Sequence, residues 1–128
     1  KLYLLKVELV TARSLVRSAR EIAEMLKSPA LDVDLDIVEA TLSRRSGDFV
    51  ATQRLLEKAL LTAREHDLAQ HEAEILYECG LTAIEQGQGN IARTQLEAAV
   101  SLFQKTGGGG LKKAVEKLKA LDNSANNR

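Results

Sequence analysis

Four places in this 128-residue chain hold residue types that could do chemistry. His66 and His71 stand five apart, with Asp67 and Glu72 beside them. A helical metal pair wants its histidines four apart on one face. Two solvated histidines flanking a turn is therefore the expectation, and neither a metal nor a cofactor is expected. Cys79, next to Gly80, falls on an apparent core column. No base lies near it in sequence, and burial raises a thiol's pKa, so packing is expected rather than nucleophilic catalysis. The run Gly107–Gly110 precedes Lys112 and Lys113. It lacks the strand and the Lys-Ser/Thr of a P-loop, and the two lysines are its one hint of anion binding at a helix N-terminus. Asp32, Asp34, Asp36 and Glu39 wrap around a helix rather than converge on a point. No Ser/His/Asp set stands out, and no enzyme activity is expected.

Composition narrows the class. Ala and Leu dominate together with Glu, Lys, Arg and Gln, all good helix formers. Aromatics are scarce, with two Tyr, two Phe and no Trp, and 18 basic side chains balance 18 acidic ones. A nucleic-acid binder usually carries a basic excess, so that class loses ground. The charge is unevenly spread: residues 1–30 carry six Lys/Arg against three acids, and residues 31–48 carry five acids against two Arg. Such a layout suits polar contacts along the chain or solvated helix faces. One cysteine cannot close an internal disulfide, which fits a reducing cytosol. No apolar run approaches the ~20 residues that span a bilayer. The chain opens on Lys1 and reads as a piece of a longer one.

Periodicity places these residues on helices. Leu5, Leu9, Ala12, Val16, Ala19, Ala23 and Leu26 form one stripe of alternating spacings of four and three, predicting a helix over 1–27. "LDVDLDI" alternates like a strand, but Ser28-Pro29 is an N-cap followed by proline at the first helical position. Asp32 suits the positive helix end, and Leu31, Leu35, Val38 and Leu42 continue a helical stripe. A helix is predicted over 29–45, ended by Gly47. Further helices are predicted over 49–66, 68–86 and 91–105, the last capped by Asn90. After the glycine run, "LKKAVEKLKALD" predicts an amphipathic helix over 111–122 with Leu111, Ala114, Val115, Leu118 and Leu121 on one face. Its lysines give it the polar outer face of a capping helix. Residues 123–128 read as a frayed, disordered tail.

The helices repeat. At a 40-residue shift Ala12, Thr52 and Ala92 align, as do Val16, Leu56 and Leu96, then Ala19, Ala59 and Ala99, then Ala23, Ala63 and Phe103. Gly47 and Gly87 keep the same interval. Small residues let paired helices approach, and one pair cannot bury both faces alone, so pairs should stack.

On these residues the chain resembles the tetratricopeptide repeat (TPR) family, in a long-helix variant. The best copy reads Leu76-x2-Cys79-Gly80-x2-Ala83, then Ala92-x3-Leu96-x2-Ala99. Thr52, Leu56 and Ala59 match the second helix of another copy, whose first helix has Asp36 and Glu39 opposite Leu76 and Cys79. A one-residue slip to Ile37 and Ala40 fits that motif better. The 40-residue spacing exceeds the family's usual period of about 34. The resemblance implies an all-α, right-handed α-solenoid of about six helices in a single domain over 1–122. Residues 1–27 would be the second helix of a truncated repeat, 29–66 and 68–106 would be full repeats, and 111–122 a cap. It also implies a protein-interaction module, scaffold or regulatory, whose first helices line a concave groove for a peptide or helix of a partner. By position that groove carries Asp34, Thr41 and Arg44, then Glu74, Tyr77, Leu81 and Ile84. Tyr77 is the best anchor, with a half-buried packing role as its rival. Asp34 and Glu74 favour a neutral or basic segment. Chaperone-binding members hold a C-terminal carboxylate with Lys and Asn, and residues 29–45 and 69–86 contain neither. The alternative is a structural segment that oligomerises through the first helix or the last.

Overall fold

The structure is a computed structural model that describes the backbone of residues 2–126 and the side chains of residues 6–124. Its regular structure is helical throughout: α1 (Leu2–Leu26), α2 (Pro29–Arg45), α3 (Phe49–Glu65), α4 (Ala69–Glu85), α5 (Gly89–Thr106) and α6 (Leu111–Asn126). None is long and apolar enough to cross a membrane among the described residues. The chain divides into two compact units, Lys1–Thr62 and Ala63–Arg128.

The turns share one backbone solution. A left-handed residue follows each of the helices α1 to α5, at Lys27, Gly47, Asp67, Gly87 and Gly107, with φ between 51° and 83°. After α2, the amides of Ser46, Gly47 and Asp48 bond back to the carbonyls of Leu42, Arg44 and Ser43. After α4, Gln86, Gly87 and Gln88 do the same to Thr82, Ile84 and Ala83. These reversals satisfy the last helical carbonyls. The turn positions recur at half the interval expected from Gly47 and Gly87, because Lys27 and Asp67 occupy the same conformation without being glycine.

N-termini differ in how they are capped. Ser28 accepts the Leu31 amide at 3.2 Å ahead of Pro29, as predicted. Asp48 caps α3 through a bond from the Ala51 amide at 3.1 Å. Asn90 is not the cap of α5: the helix starts at Gly89 behind Gln88, which makes no side-chain cap bond. The turn through Gly87 returns the chain to helical geometry sooner than predicted. At the other end of the chain α6 continues to Asn126, so residues 123–126 are helical rather than a tail. Residues 127–128 lie outside the described residues.

Burial repeats over 40 residues in both helices of the hairpin. Val33, Leu35, Asp36, Ala40, Leu42 and Ser43 are buried on α2, and Ala73, Ile75, Leu76, Gly80, Thr82 and Ala83 on α4. Thr52, Leu56, Ala59 and Ala63 are buried on α3, and Ala92, Leu96, Ala99 and Phe103 on α5. The one-residue slip is therefore wrong. Asp36 stands in the Leu76 column, fully buried, while Ile37 is only half-buried. The buried arc of α2 is also wider than one stripe, and it leaves Val38 exposed. α2 packs on α1 along Val16, Ala23, Leu35 and Leu42, and is tied to α3 by the Thr52 hydroxyl, which lies 3.4 Å from the Ala40 carbonyl. Leu26 is exposed at the end of α1, and the Leu5 side chain lies outside the described residues.

In the second unit Ala73, Leu76, Ala99, Phe103 and Ala114 form one cluster, so α6 completes the core of α4 and α5. Gly80 lets α4 and α5 approach: a Cβ there would sit 2.7 Å from Leu96 Cδ2. The end of the glycine run has a similar purpose, since a Cβ on Gly110 would lie 2.7 Å from Phe103 Cε1. Cys79 is half-buried beside these columns rather than in one.

Candidate functional site

The residues read as groove-lining divide between the two units. On α2, Asp34 is exposed, whereas Thr41 and Arg44 are half-buried. The Thr41 hydroxyl bonds back to the Ile37 carbonyl at 3.0 Å, so its proton is engaged within its own helix. On α4, Glu74, Tyr77, Leu81 and Ile84 are all half-buried. Their spacing puts them on one helical face. The structure brings Tyr77 and Ile84 to clefts that sequence reasoning did not foresee, because α6 forms the opposite wall. Tyr77 lines a cleft of about 290 Å³ with Lys113, Glu116, Lys117 and Ala120. Ile84 lines another of about 380 Å³ with Gly87, Asn90, Arg93 and Leu121. An Arg93–Asp122 ion pair ties α5 to α6 beside it. Tyr77 also packs against the apolar cluster of this unit. Tyr77 thus both packs and lines a cleft, as suits a ring with a polar tip.

A different site occupies the first unit. Asp32, Asp36 and Glu39 do converge on a point, contrary to the sequence expectation. They stand at spacings of four and three on one face of α2, and Arg20 of α1 reaches all three. Its guanidinium meets Asp32 Oδ1 at 2.9 Å, Asp36 Oδ1 at 2.5 Å and Glu39 Oε1 at 2.6 Å. Lys58 of α3 adds contacts of 3.3 Å to Asp36 and 3.9 Å to Asp32. Burial by itself would lower the Arg20 pKa, but the hydrogen bonds that Arg20 donates to Glu39 and Asp36 outweigh it and hold the pKa above the ordinary arginine value. This network is what lets a carboxylate occupy a core column, since an unpaired buried charge is prohibitive. It also gives the uneven charge of the first 48 residues a physical meaning as cross-helix pairing.

Above the network a cleft of about 470 Å³ opens between α1, α2 and α3, lined by Arg13, Arg17, Arg20, Glu39, Ser43, Asp48, Ala51, Arg54 and Leu55. Arg13, Arg17 and Arg20 recur at spacings of four and three beside the apolar stripe of α1. That pattern was legible, but its conjunction with Arg54 on α3 was not, because nothing local pairs residues so far apart.

Of the two histidines expected to be solvated, His66 is exposed in the turn before α4, whereas His71 is half-buried in the first turn of that helix. Among the described residues no group of three or more His, Cys, Asp or Glu is placed to hold a metal ion. Compared with known proteins, the chain matches no family model, no curated protein and no solved structure.

Proposed function

We propose that the chain is a protein-interaction module of TPR-like hairpins, scaffold or regulatory in role, which takes a peptide or helix of a partner along its first-helix faces. The reading includes a right-handed side-by-side stack of the repeats, as the resemblance implies, and a reducing, cytoplasmic setting, as the single cysteine implies. The observation that carries it is the α4 face, where Tyr77 and Ile84 each border a cleft against α6. A half-buried aromatic with its rim at a cleft is a typical anchor for a partner's apolar side chain. Glu74 and Asp34 favour a neutral or basic segment, and Lys113 and Lys117 beside Tyr77 shift the preference toward neutral ones. An array of immobilised helical and extended peptides probed with wild type, Tyr77→Ala and Glu74→Lys tests the reading. Tyr77→Ala should abolish the captured set, and Glu74→Lys should shift it toward acidic sequences. A captured set indifferent to both substitutions would move the partner site off α4.

One observation favours a second reading, oligomerisation through α1. Beside its packed stripe this helix exposes Leu15 (66%), Ile22 (55%), Met25 (82%) and, at the end of the predicted stripe itself, Leu26 (65%). A row of this kind marks association surfaces. Light scattering that stays monomeric at high protein concentration would remove it.

A further inference from the structure

We infer that the arginine-lined cleft of the first unit holds an anionic segment of a partner protein, its acidic or phosphorylated side chains gripped by Arg17 and Arg54. The starting point is which charges in the cleft are already engaged. Arg20 is taken up by three carboxylates. Asp48 accepts the Ala51 amide at the start of α3, where the helix end stabilises its charge. Arg13 lies 3.4 Å from the Ser46 hydroxyl, a neutral acceptor that leaves its charge uncompensated. Arg17 and Arg54, on opposite walls, have no ion-pair or hydrogen-bond partner among the described residues.

Two unengaged guanidinium groups therefore face one cleft, with a third close by. A guanidinium presents a planar fork that matches carboxylate and phosphate oxygens and is more weakly hydrated than an ammonium, so it is readily desolvated by such a ligand. Ala51 and Leu55 give the cleft an apolar part, and Ser43 adds a hydroxyl. The walls are held in place by the Arg20 network, which ties α1 to α2 directly and reaches α3 through Lys58. Arg20 is a positioning residue here and not a contact.

A polypeptide fits this surface better than a nucleic acid. No aromatic ring lines the cleft for base stacking. Glu39 and Asp48 interrupt the cationic surface that a phosphate backbone would track. The proposal does not rest on the α4 reading, because the cleft belongs to the other unit and selects the opposite charge.

The test is fluorescence anisotropy with the whole chain and four labelled probes: hexaglutamate, a phosphoserine peptide of equal length, hexalysine and a short oligothymidylate. Wild type is compared with the Arg17→Gln/Arg54→Gln double variant, with Arg17→Lys/Arg54→Lys, and with Tyr77→Ala. Both arginines are exposed, so the variants should melt as wild type does. At least one anionic peptide should bind, and the double Gln variant should weaken it about tenfold. The Lys variant should recover part of the loss, because it restores charge without the fork. Tyr77→Ala should leave binding of the anionic peptides unchanged, and any binding of hexalysine should be indifferent to the double Gln variant. The ranking of hexaglutamate and phosphopeptide reports which anion is preferred. Failure of both anionic peptides, unaltered binding by the Gln variant, equal loss in Tyr77→Ala, or tighter binding of the oligothymidylate would each overturn the proposal. Loss of the α4 peptides with this behaviour intact would overturn only the α4 reading.

Discussion

The hairpins α2–α3 and α4–α5 bury the same columns with different chemistry. At the fourth buried pair of positions counted back from the turns at Gly47 and Gly87, the second hairpin has Leu76, within an apolar cluster with Ala73, Ala99 and Phe103. The first has Asp36, with no exposed surface, held by Arg20 and Lys58. Forty residues on from Arg20 and Lys58 stand Leu60 and Ala98. Apolar burial and a cross-helix ion network are thus alternative fillings of one backbone site. The two are not equivalent in robustness. Dispersion and apolar transfer tolerate a partner's loss gradually, whereas a buried carboxylate deprived of its cation becomes strongly destabilising. Asp36 is already near that limit, because its Oδ2 has no hydrogen-bond partner.

The shared part of the comparison should be the most fragile. Ala59 and Ala99 are both fully buried at helix contacts. Ala59→Glu or Ala99→Glu would bury an unpaired charge and should destabilise by about 4 kcal/mol or more, seen in urea melts. Full stability in both would break the equivalence of the hairpins.

The contrast itself is sharpened by Arg20→Ala, expected to destabilise by about 3–5 kcal/mol, since it leaves Asp36 with Lys58 alone. The triple change Arg20→Leu/Asp36→Leu/Lys58→Ala, which copies the residues found 40 positions on, should return stability to within about 1 kcal/mol of wild type. The Arg20 pKa is raised in the folded state, so its contribution is fully present below the ordinary arginine value and is lost only above it. The gap between wild type and Arg20→Ala should therefore not narrow through arginine titration between about pH 6 and about pH 9.

Smaller effects test the close approach. Gly80→Ala would drive a methyl group into Leu96 and should cost about 1–3 kcal/mol. The equivalent position in the first hairpin already carries Ala40, so α2 and α3 should tolerate what α4 and α5 do not. The smallest change concerns the turns. Lys27 and Asp67 hold left-handed backbone with φ of 51° and 54°, a conformation that disfavours residues with a Cβ. Lys27→Gly should raise stability by about 1 kcal/mol in the same melts, and a loss instead would mean that its side chain has a role the turn geometry does not explain.

These differences locate what was readable. The stripe of α1, the Ser28-Pro29 start and the shared columns at 52/92, 56/96, 59/99 and 63/103 depend on side-chain size and period, which a sequence displays directly. The turns at Lys27 and Asp67 were hidden because a lysine or an aspartate in left-handed conformation carries no glycine to announce it. The Asp36 column was misread for a related reason. A carboxylate looks unfit for a core until its cation is known, and Arg20 lies 16 residues away on another helix.

The linear pattern alone determined that the chain is helical, where most helices begin and end, and that a hairpin recurs, because each of these follows from propensity and spacing within a few turns. Only the tertiary structure decided that the acids of α2 gather on one arginine, that Arg17 and Arg54 face a common cleft, and that α6 walls Tyr77. Each of those depends on which helices become neighbours, and it is packing across long sequence distances that selects them.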